Sequence, residues 1–379
     1  MPGISLPPFP DDVPTIPLLV IDYELIKAGN KHEINKLWGA ATELGFWYLK
    51  NHGVYQEAER MFDMGMATLE LPLEEKMQYE QGDSGASFGY KHAGAWAIDA
   101  NGTLDAVEFL NVAKDDILAW PEHVHRTYPS TVNAYMTSTL KPYTDKSLEI
   151  SFTIFSVLEK RLGLPSGAFI QRHSLKEASG SETRCIRSPP RPEAPPDKSS
   201  LGIHSDFGSL VSTSTSLLAV SEVIDRTQAI LHNRLGGLQV LPPGSDEWKY
   251  VKLVLQPVPG LVVCNLGDAM ALWSGGLLRS NLHRVVNPPK AQASHVRWSL
   301  GFFTRPNNDS ILAPLVEDSE IIAEAVNQTP FGKDNPNLTP QTAGDWYNRR
   351  IKNMRKNNRK GPETWRASRG TEHTEVTSS

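Results

Sequence analysis

Apolar residues recur with a helical period in two stretches of the first half of the chain. Residues 31–45 repeat apolar side chains every three or four positions and stop at a glycine, which predicts an amphipathic helix. Residues 144–163 keep the same period for longer and predict a helix that packs on a core. The apolar runs at 15–22 and 46–54 predict β-strands, so the first 180 residues should be mixed and largely helical.

The pattern changes after about residue 180. Short apolar runs such as GGLQVL, LVVCNLGD and RWSLGFFT are separated there by glycine, proline, asparagine and aspartate, as in a β-sandwich or β-barrel. We therefore divide the chain into a mixed N-terminal region (1–120), core helices (121–180), a β domain (181–316) and a C-terminal helix with a basic tail (317–379). The expected fold class is α+β with a mainly β core.

The composition is that of an ordinary globular enzyme and argues against several other classes of protein. The 379 residues carry a net charge of -5, which disfavours a nucleic-acid surface. The chain has no apolar stretch of the length that a membrane span needs, and the first residues lack the pattern of a signal peptide. We therefore expect a cytoplasmic protein with a small-molecule substrate and no nucleic-acid or membrane partner; no pattern encodes the oligomeric state.

The C-terminal segment 345–369 is strongly basic. A surface for an acidic partner is one interpretation. We favour a solvated helix, because runs of charge most often face water.

A candidate metal site begins in the stretch HSDFGSL, where His204 and Asp206 are two residues apart. On a β-strand such residues point to the same face, so the two side chains can share an ion. Two imidazoles and one carboxylate are typical of non-haem Fe(II) oxygenases, and His283 in the stretch GGLLRSNLHRVV is the candidate for the third ligand. The His-x-Asp pair alone is weak evidence, because a chain with eleven histidines contains one by chance roughly half the time.

Arg297 and Ser299 strengthen this interpretation because they follow His283 along the chain. They alternate onto one face of the predicted strand RWSLGFF. A guanidinium group grips a carboxylate through two hydrogen bonds, and a hydroxyl group can add a third. A metal triad followed by this pair suits a 2-oxo acid co-substrate, whose keto-acid end would meet the metal and whose far carboxylate would meet the arginine.

Taken in order, these motifs resemble the Fe(II)- and 2-oxoglutarate-dependent dioxygenases of the isopenicillin N synthase-like family, in particular a fungal-type member. The stretches IPLLVIDY, GFWYLKNHGV, LPLEEKMQYE, FGYKHAG and LDAVEFLNV resemble the N-terminal region of the family. The stretches LGLPSGAF, HSDFGSL, GGLQVL, VVCNLGDAMALWSGGLLRSNLHRVV and RWSLGFF resemble its catalytic domain. The resemblance covers about residues 14–316 and implies a double-stranded β-helix, a relative of the jelly roll, buttressed by helices.

The resemblance also implies a role for each candidate residue. It makes His204, Asp206 and His283 the iron ligands and catalytic centre, with Arg297 and Ser299 as the 2-oxoglutarate clamp. The implied cofactors are Fe(II), 2-oxoglutarate as co-substrate and O2. The implied reaction is the hydroxylation, desaturation or cyclisation of a small organic molecule, in secondary metabolism.

Aromatic residues are the candidates for the substrate pocket. Phe303 matches a position that often lines the pocket in the family, and Tyr90 is expected to join it, with Phe88 and Trp96 as further candidates. They favour an apolar or aromatic substrate, since ligand pockets are lined mainly by such side chains.

Three features depart from the family. Ser188 stands where the family often has a tyrosine that helps to bind 2-oxoglutarate. The interval from His283 to Arg297 is longer than in many plant members and predicts a longer hairpin. Residues 211–228 interrupt the usual continuation from HSDFGSL to GGLQVL and form an atypical insertion.

Two interpretations of residues 211–228 remain open. The ends of the stretch, Val-Ser and Gln, can be encoded by GTAAGT and CAG, which favours a translated, unspliced intron. The alternative is a genuine lid loop near the substrate entrance. Sequencing of spliced transcripts distinguishes them, because a message that retains the stretch in most reads contradicts the intron.

Three other functions also stay open. The first is an Fe(II) oxidase of the same fold that does not use 2-oxoglutarate, which succinate release would exclude. The second is a catalytically inert small-molecule-binding protein, which would bind its ligand without iron. The third, a zinc hydrolase, lacks an H-E-x-x-H motif and has no use for the Arg-x-Ser pair.

Overall fold

Two β-sheets face each other at the centre of the protein. The computed structural model describes residues 7–195, 197–216, 235–252, 260–328 and 340–371. The larger sheet has the strand order β2-β3-β11-β8-β13-β6-β5-β4 and the smaller one the order β1-β10-β9-β12-β7. The strands are β1 Thr15–Ile16, β2 Val20–Asp22, β3 Phe46–Lys50, β4 Gly89–Lys91, β5 Glu108–Ala113, β6 Glu182–Ser188, β7 Ser199–His204, β8 Leu210–Ser216, β9 Leu238–Val240, β10 Lys249–Val251, β11 Val262–Leu266, β12 His283–Val286, β13 Arg297–Thr304, β14 Ile311–Leu312 and β15 Gln341–Thr342.

The described helices surround the two sheets, and several of them pack against the outer face of the larger one. The helices are α1 Tyr23–Lys27, α2 Lys31–Glu43, α3 Tyr55–Leu69, α4 Leu73–Met77, α5 Lys114–Ala119, α6 Ser130–Asn133, α7 Lys141–Arg161, α8 Ala168–Gln171, α9 Asp268–Trp273, α10 Glu320–Gln328, α11 Ala343–Met354 and α12 Pro362–Ala367. A π-helical turn, Met136–Leu140, precedes α7, and 3-10 turns occupy Lys290–Ser294 and Lys356–Asn358. Within the described ranges, no helix combines the length and the apolar character that crossing a membrane requires.

The larger sheet is buried on both faces, and its strands alternate between two environments. On β13, Trp298, Leu300 and Phe302 belong to the main apolar core under the helices. Arg297 and Ser299 point the other way, into the space between the sheets. Smaller apolar clusters lie around Tyr48 and around Trp96. This alternation is what places polar side chains between two sheets that are otherwise apolar.

The expected fold class, α+β with a mainly β core, is confirmed, and the two long predicted helices are α2 and α7. The run at 15–22 forms two strands in different sheets and not one strand. Pro17 lies between them, and a proline removes a backbone donor from a ladder.

The predicted hairpin between His283 and Arg297 is wrong. Strand β12, which begins at His283, lies in the smaller sheet, and β13, which begins at Arg297, lies in the larger one. The connection passes through a 3-10 turn and crosses from one sheet to the other. The residues between His283 and Arg297 therefore form a connection from one sheet to the other and not a hairpin loop.

Part of the atypical insertion is an internal strand. Residues 211–216 belong to β8, which pairs with β11 on one side and with β13 on the other. A lid loop is therefore wrong for these six residues. Residues 217–228 lie outside the described part of the chain.

The expectation of a solvated C-terminal helix is also wrong. Helix α11 buries Trp346, Arg350 and Ile351, and Arg355 just after it is buried as well. Arg350 and Arg355 hold this part of the chain against the rest of the protein, because they pair with the buried or half-buried carboxylates of Asp268 and Glu80.

Candidate metal centre and active site

The three predicted metal ligands converge at one end of the smaller sheet. His204 is the last residue of β7, His283 is the first residue of β12, and the two are direct partners across the antiparallel pair. Their ring centroids are 4.2 Å apart. Asp206 follows β7 in a turn, so the pair is not a strand i, i+2 pair as expected. One donor atom from each of the three side chains lies within 4.8 Å of the other two.

Backbone carbonyls fix the orientation of both imidazoles. Nδ1 of His204 lies 2.7 Å from the Gly202 carbonyl oxygen, and Nδ1 of His283 lies 3.1 Å from that of Asn281. A carbonyl oxygen only accepts, so each Nδ1 carries the proton. Each Nε2 is left with a free lone pair, as a metal ligand requires.

Asn265 of β11 holds the carboxylate. Its side-chain amide donates a 2.7 Å hydrogen bond to Oδ2 of Asp206. Burial by itself would raise the pKa of Asp206, but the two imidazoles and this hydrogen bond lower the pKa below its usual value. The carboxylate is therefore ionised at neutral pH.

The imidazole of His204 is neutral at the same pH. Burial lowers its pKa to about 3, and the neighbouring His283 contributes to the same shift. In a buried site with a neutral imidazole and an ionised carboxylate, the ligand atoms carry no proton and can bind a metal cation.

The donor set fits a divalent transition metal. The Asp206 oxygens lie 3.9 Å from Nε2 of His204 and 3.5 Å from Nε2 of His283. Two ligand bonds of about 2 Å each span at most about 4 Å, so an ion can lie between the carboxylate and either imidazole, through Oδ1 toward His204 and through Oδ2 toward His283. Two nitrogens and one oxygen on one side of an ion leave the opposite positions open, which favours Fe(II) of the oxygenase type.

Arg297 and Ser299 line the same cavity as the three donors, a space of about 110 Å³ between the sheets. The Arg297 guanidinium donates from Nε to the Gly236 carbonyl oxygen at 2.9 Å and from Nη1 to the Ser299 hydroxyl at 2.6 Å. Among the described residues no carboxylate pairs with it, and burial lowers the pKa of Arg297 to about 10. The cavity therefore offers a buried cation with its hydroxyl neighbour beside the metal ligands.

A second chamber adjoins the donors on the other side. It shares His204, Asp206, Phe303 and Arg184 with the first cavity. Its other lining residues include the aromatic side chains of Trp96 and Phe207 and the arginines Arg305 and Arg369. A chamber of this character next to a metal suits an organic substrate.

The C-terminal segment closes this chamber. Met354 and Arg369 both line it. The backbone N–H of Ala97 donates to the Met354 carbonyl at 2.9 Å, and the Arg369 guanidinium donates to the Ile203 carbonyl. The segment therefore belongs to the site, which its charge pattern alone did not indicate.

The predicted pocket residues do not all lie in the same cavity. Phe303 lines both cavities and Trp96 lines the second. Tyr90 lines neither of them: it faces a different cavity with Lys76 and Arg187, where its hydroxyl donates to Glu108 at 2.6 Å. The expectation for Tyr90 is wrong, because its strand, β4, lies at the far edge of the larger sheet.

Ser188 is the direct partner of Arg297 across the β6–β13 ladder. Its hydroxyl is buried and has no hydrogen-bond partner in the described part of the chain. Ser188 therefore lies next to Arg297, at the position where the family often has a tyrosine. The serine side chain is too short to cross the cavity.

Sequence reasoning missed two polar residues of this site. None of the motifs in the sequence singles out Asn265 or Arg184. Asn265 lies on the apolar strand β11 and Arg184 on the more polar strand β6, and period-two alternation puts each on the inner face, with Val263 and with Ile186. A polar residue at an inward position of a buried strand was the available signal.

Comparisons with protein families agree with the geometry. Residues 16–131 match the profile described as non-haem dioxygenase in morphine synthesis N-terminal. Residues 226–306 match the 2OG-Fe(II) oxygenase superfamily. Together the two matches span more than half of the chain. The second includes His283, Arg297 and Ser299 but begins after His204 and Asp206.

Known proteins give the same result. A homoarginine-6-hydroxylase of rice (Oryza sativa) is 26% identical over 79% of this chain and 84% of its own length. A leucoanthocyanidin dioxygenase of Malus domestica is 29% identical over 80% of this chain and 76% of its own. The crystal structure of a full-length Neurospora crassa protein in complex with alpha-KG superposes with a TM-score of 0.67 at 18% identity, covering 92% of this chain and 99% of that one, and so shares the double-stranded β-helix fold. This chain therefore belongs to the 2OG-Fe(II) oxygenase superfamily and is an isopenicillin N synthase-like dioxygenase that depends on non-haem iron and 2-oxoglutarate.

Proposed function

We propose that His204, Asp206 and His283 hold the iron, and that Arg297 with Ser299 holds the far carboxylate of 2-oxoglutarate. The observation that carries this proposal is the buried guanidinium of Arg297, which shares a cavity with the three donors and has no carboxylate partner in the described ranges. A buried charge without a counter-ion is costly, and the co-substrate supplies one. When bound, iron and 2-oxoglutarate together activate O2 to oxidise a C–H bond, and succinate and CO2 are released.

The residues of the chain contribute geometry and electrostatics. The Gly202 and Asn281 carbonyls hold the imidazoles with Nε2 turned toward one point, and Asn265 fixes the carboxylate. The Gly236 carbonyl and Ser299 hold the Arg297 fork in one orientation. Ligands held in this way need little rearrangement on binding, which favours affinity and a defined reacting geometry.

The substrate is a small organic molecule that lies in the second chamber, where Phe303 and Trp96 contact its apolar part. Hydroxylation, desaturation and cyclisation are all compatible with a substrate bound in this chamber. The rice and apple relatives carry the names of small-molecule enzymes, which supports this class. We also propose that the protein acts in secondary metabolism and is located in the cytoplasm.

The test is an anaerobic titration of the metal-free protein with Fe(II) and then with 2-oxoglutarate. A visible charge-transfer band of the chelate is expected in the wild type. His283→Ala should lose the band, whereas His295→Ala, outside both cavities, should keep it. A wild-type protein without a band contradicts the proposed metal and clamp residues.

Turnover separates the remaining alternatives. An oxidase of the same fold would consume O2 without forming succinate from 2-oxoglutarate. An inert binding protein would bind its ligand equally well with and without iron. Succinate formation that depends on Fe(II) excludes both.

A further inference from the structure

Two arginines share one carboxylate beside the second chamber. Nη2 of Arg184 and Nη2 of Arg305 both donate to Oε1 of Glu182, at 2.6 and 3.0 Å. Oε2 of the same carboxylate accepts from the hydroxyl of Ser87 at 2.9 Å. Glu182 is fully buried and both arginines are more than nine-tenths buried. This group therefore carries two positive charges and one negative charge away from water.

Several contacts hold the guanidinium group of Arg184 in one orientation. Its guanidinium lies between the rings of Phe109 and Phe303, 4.4 and 4.5 Å from their centroids. Nε donates to Asn111 at 2.8 Å and Nη2 to Glu182. Within the described ranges Nη1 has no hydrogen-bond partner, and Arg184 lines both cavities. The structure thus presents a fixed donor next to the candidate metal ligands.

Arg184 lies apart from the proposed 2-oxoglutarate clamp. In the β6–β13 ladder Ser188 pairs with Arg297, and Arg184 pairs with Gly301. Four residues of strand separate the two arginines, or about 13 Å at 3.3 Å per residue. Gly301 lets the Phe303 ring lie close to the strand opposite Arg184, because a Cβ at this position would lie only 2.8 Å from that ring. The two guanidinium groups can therefore serve two different anions.

The charges of the loaded site point the same way. With Asp206, Fe(II), doubly charged 2-oxoglutarate and Arg297, the first cavity is neutral. Among the described residues, the group of Arg184, Arg305 and Glu182 carries one further net positive charge. Excess buried charge is costly, so a ligand that brings an anion to this place would gain affinity.

We propose that Arg184 binds a carboxylate group of the substrate, and that the substrate is a small apolar carboxylic acid. Its ring or chain lies in the chamber of Trp96, Phe207 and Phe303, and its carboxylate meets Nη1 of Arg184. The carbon to be oxidised then faces His204 and Asp206. This inference rests on the proposed function of the same site and adds the class of substrate.

The test compares matched acids and amides. The anaerobic protein loaded with Fe(II) and 2-oxoglutarate is titrated by calorimetry with phenylacetate and phenylacetamide, and with 2-naphthoate and 2-naphthamide. Each acid should bind at least about tenfold more tightly than its amide, the effect of a charge-assisted hydrogen bond. Arg184→Met should reduce the preference to within about twofold, and Arg184→Lys, which keeps the charge but loses the fork, should retain part of it.

Arg187→Met is the matched control. It lies on the same strand but faces a different cavity and pairs with Glu108 at 2.7 Å, so the preference for acids should survive. The proposal is overturned if the wild type binds acids and amides equally or binds none of the acids, or if Arg184→Met keeps the preference. It is also overturned if Arg184→Met weakens 2-oxoglutarate instead. The charge-transfer band in the same samples reports on the proposed function: its absence from the wild type contradicts that function, whatever Arg184 does.

Discussion

The donor set depends on single hydrogen bonds made by the residues behind it. Each imidazole is oriented by one backbone carbonyl, and the carboxylate is held by one side chain, Asn265. Backbone carbonyls cannot be mutated, so Asn265 is where the positioning of the ligands can be tested.

Asn265→Ala should weaken Fe(II) binding about 10- to 100-fold, because partners of metal ligands typically contribute that much. Asn287→Ala is the control: Asn287 is equally buried, but its amide donates to the Arg191 carbonyl, outside both cavities. Anaerobic Fe(II) titration measures both. Equal affinity in the wild type and Asn265→Ala would show that Asp206 needs no support.

Arg297→Lys should raise the dissociation constant of 2-oxoglutarate by about 10- to 100-fold and leave Fe(II) affinity unchanged. A lysine keeps the charge but loses the fork and the bond to Ser299, and one hydrogen bond to a charged group contributes about 1.5–3 kcal/mol. Titration of the charge-transfer band gives both constants. A loss of Fe(II) binding instead would mean that Arg297 acts on the metal ligands.

His173 should make the protein sensitive to acid. Nδ1 donates to the Phe169 carbonyl, Nε2 accepts from the Ser209 hydroxyl at 2.8 Å, and burial lowers the pKa of His173 to about 4. The unfolded chain binds the proton near pH 6.5, so the stabilisation is complete above pH 6.5 and is lost as the pH falls toward 4. The loss is about 3 kcal/mol at 1.36 kcal/mol per unit of pKa.

Denaturant unfolding from pH 8 to pH 4 checks this. The free energy of unfolding should fall less steeply below pH 6.5 in His173→Gln than in the wild type. His32→Gln, exposed on α2, should follow the wild type. Parallel curves for His173→Gln and the wild type would contradict the argument.

At the scale of single residues, the sequence points to particular positions where the proposed chemistry requires a particular residue type. His204, Asp206, His283, Arg297 and Ser299 could be selected, and the structure brings all five to one cavity. Tyr90 could not be placed, because an aromatic side chain fits many sites and only the strand order decides which cavity it faces.

At the scale of elements, helix α11 joins the C-terminal segment to the turn that carries Asp206. Arg350, which is fully buried, pairs with Asp268 and donates to the Ser205 carbonyl at 3.1 Å. Its guanidinium also lies 4.2 Å from the centre of the Phe207 ring. A basic sequence predicts a solvated helix unless its acceptors are known, and these lie between 82 and 145 residues away along the chain.

Arg350→Leu should therefore destabilise the protein by about 3–5 kcal/mol, because it leaves the Asp268 carboxylate buried without its cation. Lys352→Ala, exposed on the same helix, should change the free energy of unfolding by less than about 0.5 kcal/mol. Urea unfolding of both variants makes the comparison. A small effect of Arg350→Leu would mean that α11 is only loosely attached.

For the whole molecule, the order of motifs predicted the fold class and the catalytic domain. The assignment of strands to sheets was not predictable in the same way. A crossover and a hairpin have similar sequences, and only the register of His283 with His204 and of Arg297 with Ser188 distinguishes them. Long-range pairing is a property of the folded chain, and local patterns carry little of it.

Strand β8 is where sequence and fold agree least. It lies between β11 and β13, yet residues 211–216 read VSTSTS. Its partners Cys264, Leu300 and Phe302 belong to the main apolar core, whereas Ser214, opposite Leu300, is a buried hydroxyl residue. A polar strand at the centre of a buried sheet is a local conflict with the fold.

This conflict gives a prediction for a chain that lacks residues 211–228. In it Leu210 is followed directly by AILHN, and Ile230 takes the place of Ser212 in the strand. Burial of that side chain favours the shortened chain by about 1–2 kcal/mol. We expect it to unfold at a higher urea concentration than the full chain and to form the Fe(II)–2-oxoglutarate band at least as well. A shortened chain that is unfolded, or that has lost the band, would mean that the present β8 is the native strand, and the intron interpretation would then fail.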